Sequence, residues 1–93
     1  MKHDREFGTV CGCAIRYSLG RQTYFSSTVQ NYILQNIDRI DSLSIEIMIA
    51  DIDKASSLGD ERIDKPCWIS FKNCLGKELN KRKNKSIILT IFA

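Results

Sequence analysis

LSIEIMIADIDKASSL, residues 43–58, is the most apolar part of the chain that still reads as one element. Its first half is ambiguous, because Leu43, Ile45, Ile47 and Ile49 alternate with Ser44, Glu46 and Met48 as they would on a half-buried strand. Ile45, Met48, Ile49, Ile52 and Ala55 carry the apolar pattern on at helical spacing, over a length that suits a helix better than a short strand. Asp41 or Ser42 is placed to cap the start and Gly59 to close the end, so a central helix is expected here. Ile47 falls off the stripe, which predicts a helix covered on more than one side.

Upstream, Ser27-Thr28-Val29-Gln30 has the serine and glutamine spacing of a capping box, followed by a stripe of Val29, Tyr32, Ile33, Ile37 and Ile40. The short turn at Asp41 and Ser42 predicts that this second helix lies antiparallel against the central one. Residues 9–19, TVCGCAIRYSL, read as a first helix with Val10, Cys13 or Ala14, Tyr17 and Leu19 inward and Gly20 as its stop. Gly12 weakens that helix by about 1 kcal/mol relative to alanine. Residues 1–8 are a polar lead with only Phe7 to pack, and residues 21–25 a connector whose Tyr24 and Phe25 fold back on the core.

Downstream, residues 60–64 form a polar loop, with Asp64 as cap and Lys65-Pro66 in the first turn of a last helix. Trp68, Phe71, Leu75 and Leu79 are its apolar stripe, and its polar face runs on into Lys77, Lys81, Arg82, Lys83 and Lys85. The closing SIILTIFA, residues 86–93, is apolar and β-prone; it suits a strand packed on the domain, a contact in a homodimer, or an apolar tail. The expectation is an all-α domain spanning residues 1–93, a compact bundle of about four helices with a short C-terminal strand or tail. Residues 1–8 and 84–93 fall outside the periodic part.

With 93 residues, 43% hydrophobic content and a single proline, the chain has the composition of one globular domain and not of a disordered one. No apolar run approaches the roughly 20 residues of a membrane span, and the charged start MKHDREFG has no apolar segment behind it, so a cytoplasmic protein is expected. The net charge of +3 is unevenly spread: residues 26–64 carry three basic and eight acidic groups, residues 65–93 seven basic and one acidic. Opposed blocks of this kind pair within a fold or between copies, so a basic end does not by itself mean nucleic acid.

Chemistry finds little foothold. Cys11 and Cys13 are one residue apart and Cys67 and Cys74 six, neither being the gap of a structural zinc site, so free thiols are expected and no metal. The only histidine, His3, sits in the polar lead, away from any nucleophile. Asp51 with Asp53, or Asp60 with Glu61 and Asp64, lack the spacing of a calcium loop. Nothing calls for a cofactor or a catalytic residue. What stands out is the interleaving of Arg16, Tyr17, Arg21 and Tyr24. The two guanidinium groups suit phosphates or a partner's carboxylates; equally, they suit a tie to the acidic segment, at Asp51 or Asp60.

The run AIRYSLGRQTY, residues 14–24, with Val29, Asn36-Ile37-Asp38, residues 49–52, Gly59-Asp60 and Trp68, resembles small phage- and prophage-borne proteins with a RYxLGRxTY-like signature. The resemblance covers about residues 14–80. It implies an anti-CRISPR-like inhibitor: a non-enzymatic protein of the host cytoplasm that binds a CRISPR effector or other defence nuclease. The expected contact residues are Arg16, Tyr17, Arg21 and Tyr24, then Asp51, Asp53 and Asp60. The competing expectation is a small nucleic-acid-binding regulator that uses Lys77, Lys81, Arg82, Lys83 and Lys85.

Overall fold

A computed structural model describes residues 3–19, 24–58 and 65–92, with side chains at 3–19, 27–58 and 66–84. Four helices are present: α1 (Arg5–Ser18), α2 (Tyr24–Gln35), α3 (Ser42–Ser57) and α4 (Lys65–Phe92). A 3₁₀ turn at Ile37–Arg39 joins α2 to α3. The chain is therefore an all-α bundle, and among the described residues the one β feature is an isolated parallel bridge between Asp4 and Ile40.

The central helix forms as expected. The Asp41 carboxylate accepts from the amide of Ser44 at 3.1 Å and caps α3, while Ser44, Ile45, Met48 and Ile52 are buried. Its neighbours differ from expectation. α3 packs chiefly on α1 and α4, and α2 packs on α1 and α4, so α2 and α3 lie on a diagonal and not side by side. The 3₁₀ turn carries the chain across that diagonal, with Ile40 fully buried beneath it. Ile47 and Leu43 are 41% and 44% exposed, so α3 is covered by two helices and open on its remaining side.

α1 begins earlier than Thr9. Asp4 caps it by accepting from the amide of Phe7 at 3.0 Å, and the Asp4 amide in turn donates to the carbonyl of Arg39 at 2.7 Å. Residues 4–8 are therefore part of the fold. Arg39 lies 4.0 Å over the Phe7 ring, which also meets Tyr32 at 6.3 Å. The buried face of α1 is Gly8, Cys11, Ile15 and Ser18, not the expected Val10, Cys13 and Tyr17. The reason is proximity. A Cβ at Gly8 would meet Asp41 Oδ1, and would lie 2.7 Å from Ser44 Oγ and 3.0 Å from Ser44 Cβ, so α1 and α3 cross where only small residues fit. Gly8 and Ser44 at the start of both helices, and Arg16 and Asp51 further along, make the pair parallel.

α2 starts at Tyr24, so Ser27 lies inside the helix and its capping box is not used. Gln30 turns into the core, where its carbonyl accepts from the Cys67 thiol. The side-chain amide of Asn36 closes the other end by donating to the carbonyl of Tyr32 at 2.8 Å. Trp68, Phe71 and Leu75 of α4 fill the core as expected, the first two ring edge to ring face at 6.0 Å. α4 then runs further than expected: it continues unbroken for 28 residues, about 42 Å, through the segment whose sequence suits a strand, a homodimer contact or an apolar tail. A helix already seeded and packed is extended at low cost by residues that would choose a strand in isolation. The side chains of 86–93, on which the homodimer contact rested, lie outside the described residues, as do Gly20, Gly59 and Asp64.

These packing facts predict opposite outcomes for two glycines of one helix. Gly8→Ala should lose about 1–3 kcal/mol in denaturant unfolding, from overpacking against Asp41 and Ser44. Gly12→Ala meets nothing within 4 Å and should gain up to about 1 kcal/mol from helix propensity. Equal effects at the two positions would contradict the close crossing.

Candidate functional site

Of the expected contact residues, the structure brings Arg16 and Asp51 together. The guanidinium of Arg16 reaches the Asp51 carboxylate from α1 to α3, with both nitrogen-to-oxygen distances at 3.3 Å. This is the intramolecular tie that the acidic segment offered, and it is a surface pair of little energetic weight, about 0–1 kcal/mol. Asp53 points elsewhere. Two residues along a helix is a 200° rotation, so Asp53 faces α4 and pairs with Lys72. The two aspartates therefore cannot share a cation, and among the described residues no group of three or more metal-ligating side chains occurs. Arg21 and Asp60 lie outside the described residues; Tyr24 is in the first turn of α2, its side chain outside them.

The same two helices, α1 and α3, also expose large apolar side chains that periodicity missed. The outward stripe of α1 holds Val10, 63% exposed, Cys13, and Tyr17, 59% exposed although it makes a contact of its own. Along the open flank of α3 run Leu43, Ile47, Lys54 and Leu58, and Leu58 is 74% exposed. Arg16, Leu19, Asp51, Lys54, Ala55 and Leu58 line a shallow groove between the ends of the two helices. Gly12 leaves open space on the α1 side. The groove thus sets the ion pair beside Leu19, Ala55 and Leu58. The one sequence signal for it was the size of residues on α1: small ones at 8, 11 and 18, large ones at 10 and 17.

The basic set separates as well. Lys77, Lys81 and Lys83 are exposed on α4, but Arg82 is not a free cation. Its Nε donates to Glu78 at 3.0 Å, Nη1 to the Ser42 hydroxyl at 3.0 Å and Nη2 to the Ile37 carbonyl at 3.0 Å. With Arg82 and Glu78 side chains only 16% and 12% exposed, this is a clamp holding α4 on the start of α3, and Arg82 leaves the nucleic-acid set. The Lys85 side chain lies outside the described residues.

Two ionisable groups are displaced by this packing. Burial pushes the Cys11 thiol up, opposed in part by the charge of Arg39. Burial acts to raise the Asp41 carboxyl too, but hydrogen bonds from the Ser44 hydroxyl and amide and from its own amide, with the nearby charge of Arg5, outweigh it and leave it below the ordinary value. Both belong to the fold and neither faces a cleft. All four cysteines are free thiols, and no described helix is long and apolar enough to cross a membrane.

No family model, curated protein or solved structure matches the chain. What fold and surface define is an all-α bundle with an apolar outer face on its parallel helix pair.

Because Arg82 is built into the fold, its removal should act on stability. Arg82→Ala should cost about 2–3 kcal/mol in a denaturant titration, since it strips a carbonyl and a half-buried carboxylate of their donor. Lys77→Ala and Lys81→Ala should each stay within about 0.5 kcal/mol of wild type. An Arg82→Ala variant as stable as the two lysine variants would show the clamp to be ornamental.

Proposed function

We propose that the protein acts by contact with another protein, without chemistry of its own, and that the outer face of α1 and α3 is the contact surface. The observation that carries this reading is the group Leu43, Ile47 and Leu58, large apolar side chains left in solvent along the flank of α3 beside α1. Contiguous apolar patches with a polar rim favour protein association, whereas apolar side chains exposed singly, such as Tyr32 and Ile69, need no partner. The Arg16–Asp51 pair beside Leu58 supplies register, since its charges are satisfied without a partner and available to one. The resemblance of residues 14–80 to phage-borne proteins directs the reading to a host defence protein or nuclease, inhibited by occupation of its surface.

A second reading has its own support. Lys77 and Lys81 stand one turn apart on α4, with Asn73, Asn80 and Asn84 exposed around them and no carboxylate on that stripe. A stripe of this composition suits a phosphate backbone.

The two are separated by immobilising the protein and challenging it with host-cell lysate, then with labelled duplex DNA. Ile47→Glu and Leu58→Glu should abolish retention of the protein partner with stability within about 0.5 kcal/mol of wild type. Lys77→Ala with Lys81→Ala should leave that retention intact. Retention that survives both glutamate substitutions contradicts the proposed face. Binding to DNA that collapses between low and physiological salt, and is lost in the double lysine variant, would favour the second reading.

A further inference from the structure

Cys67 and Gln30 form a pair that packing alone does not explain. Cys67 is the third residue of α4 and half-buried against α2. Its thiol donates to Gln30 Oε1 at 3.0 Å. Gln30 is only 5% exposed, and the other end of the same carboxamide, Nε2, has no hydrogen-bond partner among the described residues. A buried amide nitrogen without an acceptor is a cost that native interiors rarely carry. Here the missing acceptor would lie beside the sulfur.

We propose that Cys67 is a site of oxidation by a hydroperoxide and that Gln30 is the side chain that holds the product. The sulfur, having lost its proton, attacks one peroxide oxygen; an S–O bond forms and the O–O bond breaks. The sulfur is oxidised by two electrons, hydrogen peroxide is reduced to water, and the proton released by the thiol is taken up by the departing oxygen. The product, a sulfenic acid, has what the thiol lacks: a hydroxyl whose one oxygen both donates to Oε1 and accepts from Nε2. Both ends of the carboxamide are then satisfied.

The other thiols are placed differently. Cys11 is buried in the core, Cys13 is exposed on α1, and Cys74 is two helical turns from Cys67. Two turns is roughly 10 Å, beyond the reach of a disulfide, so Cys74 cannot resolve the sulfenic acid and the product persists long enough to trap.

The test uses the reduced full chain, a small excess of hydrogen peroxide, dimedone as the trap and peptide mass spectrometry. In the folded protein Cys67 should carry at least about fivefold more adduct than Cys13, although Cys13 is the more exposed. In guanidinium-unfolded protein the two should react alike, and Gln30→Met should move the folded ratio toward that value. Equal labelling in the folded protein, or a ratio unchanged by unfolding, overturns the proposal. A high ratio that survives Gln30→Met overturns the role of Gln30; if that variant does not fold, the folded and unfolded wild type decide alone.

Discussion

There is no room for a side chain at residue 8. The backbone of α1 lies against Asp41 and Ser44 so closely that a single methyl group would displace one of them, and this contact sets both the spacing and the parallel direction of α1 and α3. Asp41 serves twice there: it caps α3 through the Ser44 amide and forms the wall that Gly8 meets. Around it the chain is stitched by short-range chemistry, from the Asp4 amide on the Arg39 carbonyl to the guanidinium of Arg82 on Ile37 and Ser42. One end of the bundle is therefore held by polar groups and the middle by Ile15, Ile33, Ile45, Met48, Phe71 and Leu75.

The close crossing also decides what the surface looks like. α1 spends its inward positions on Gly8, Cys11, Ile15 and Ser18, three of them small, and Val10 and Tyr17 face outward. The same holds on the flank of α3, where Leu43 and Ile47 have no helix opposite them because α2 lies on the diagonal. An apolar outer face is thus a by-product of how tightly two helices meet, and such a face is the raw material of a protein contact.

Much of this was legible in the chain. α3, its Asp41 cap and the Trp68–Phe71–Leu75 stripe follow from spacing and side-chain chemistry, because Ile45, Met48 and Ile52 on α3 and Trp68, Phe71 and Leu75 on α4 are apolar, helically spaced and buried. α1 misled for the opposite reason: periodicity weighs large apolar residues, and this helix buries small ones. The capping box at Ser27 failed because Gln30 found a better use in the core, a tertiary choice that local pattern does not contain. Arg82 read as one cation among five, and only three-dimensional proximity to Ile37 and Ser42, some forty residues away, distinguishes it from Lys81. As for the contact residues, Arg16 and Asp51 were legible as a pair of opposite charge. That they sit beside Leu19, Ala55 and Leu58, and that Asp53 turns away to Lys72, depended on the fold.

The closest probe of the crossing is a double-mutant cycle between Gly8 and Ser44, read by denaturant unfolding. If the two helices meet as described, Ser44→Gly removes two of the three atoms that the added methyl meets, leaving Asp41 Oδ1, and the penalty of Gly8→Ala should shrink by about 1 kcal/mol in that background. A penalty that stays the same to within about 0.5 kcal/mol would contradict the contact between residues 8 and 44.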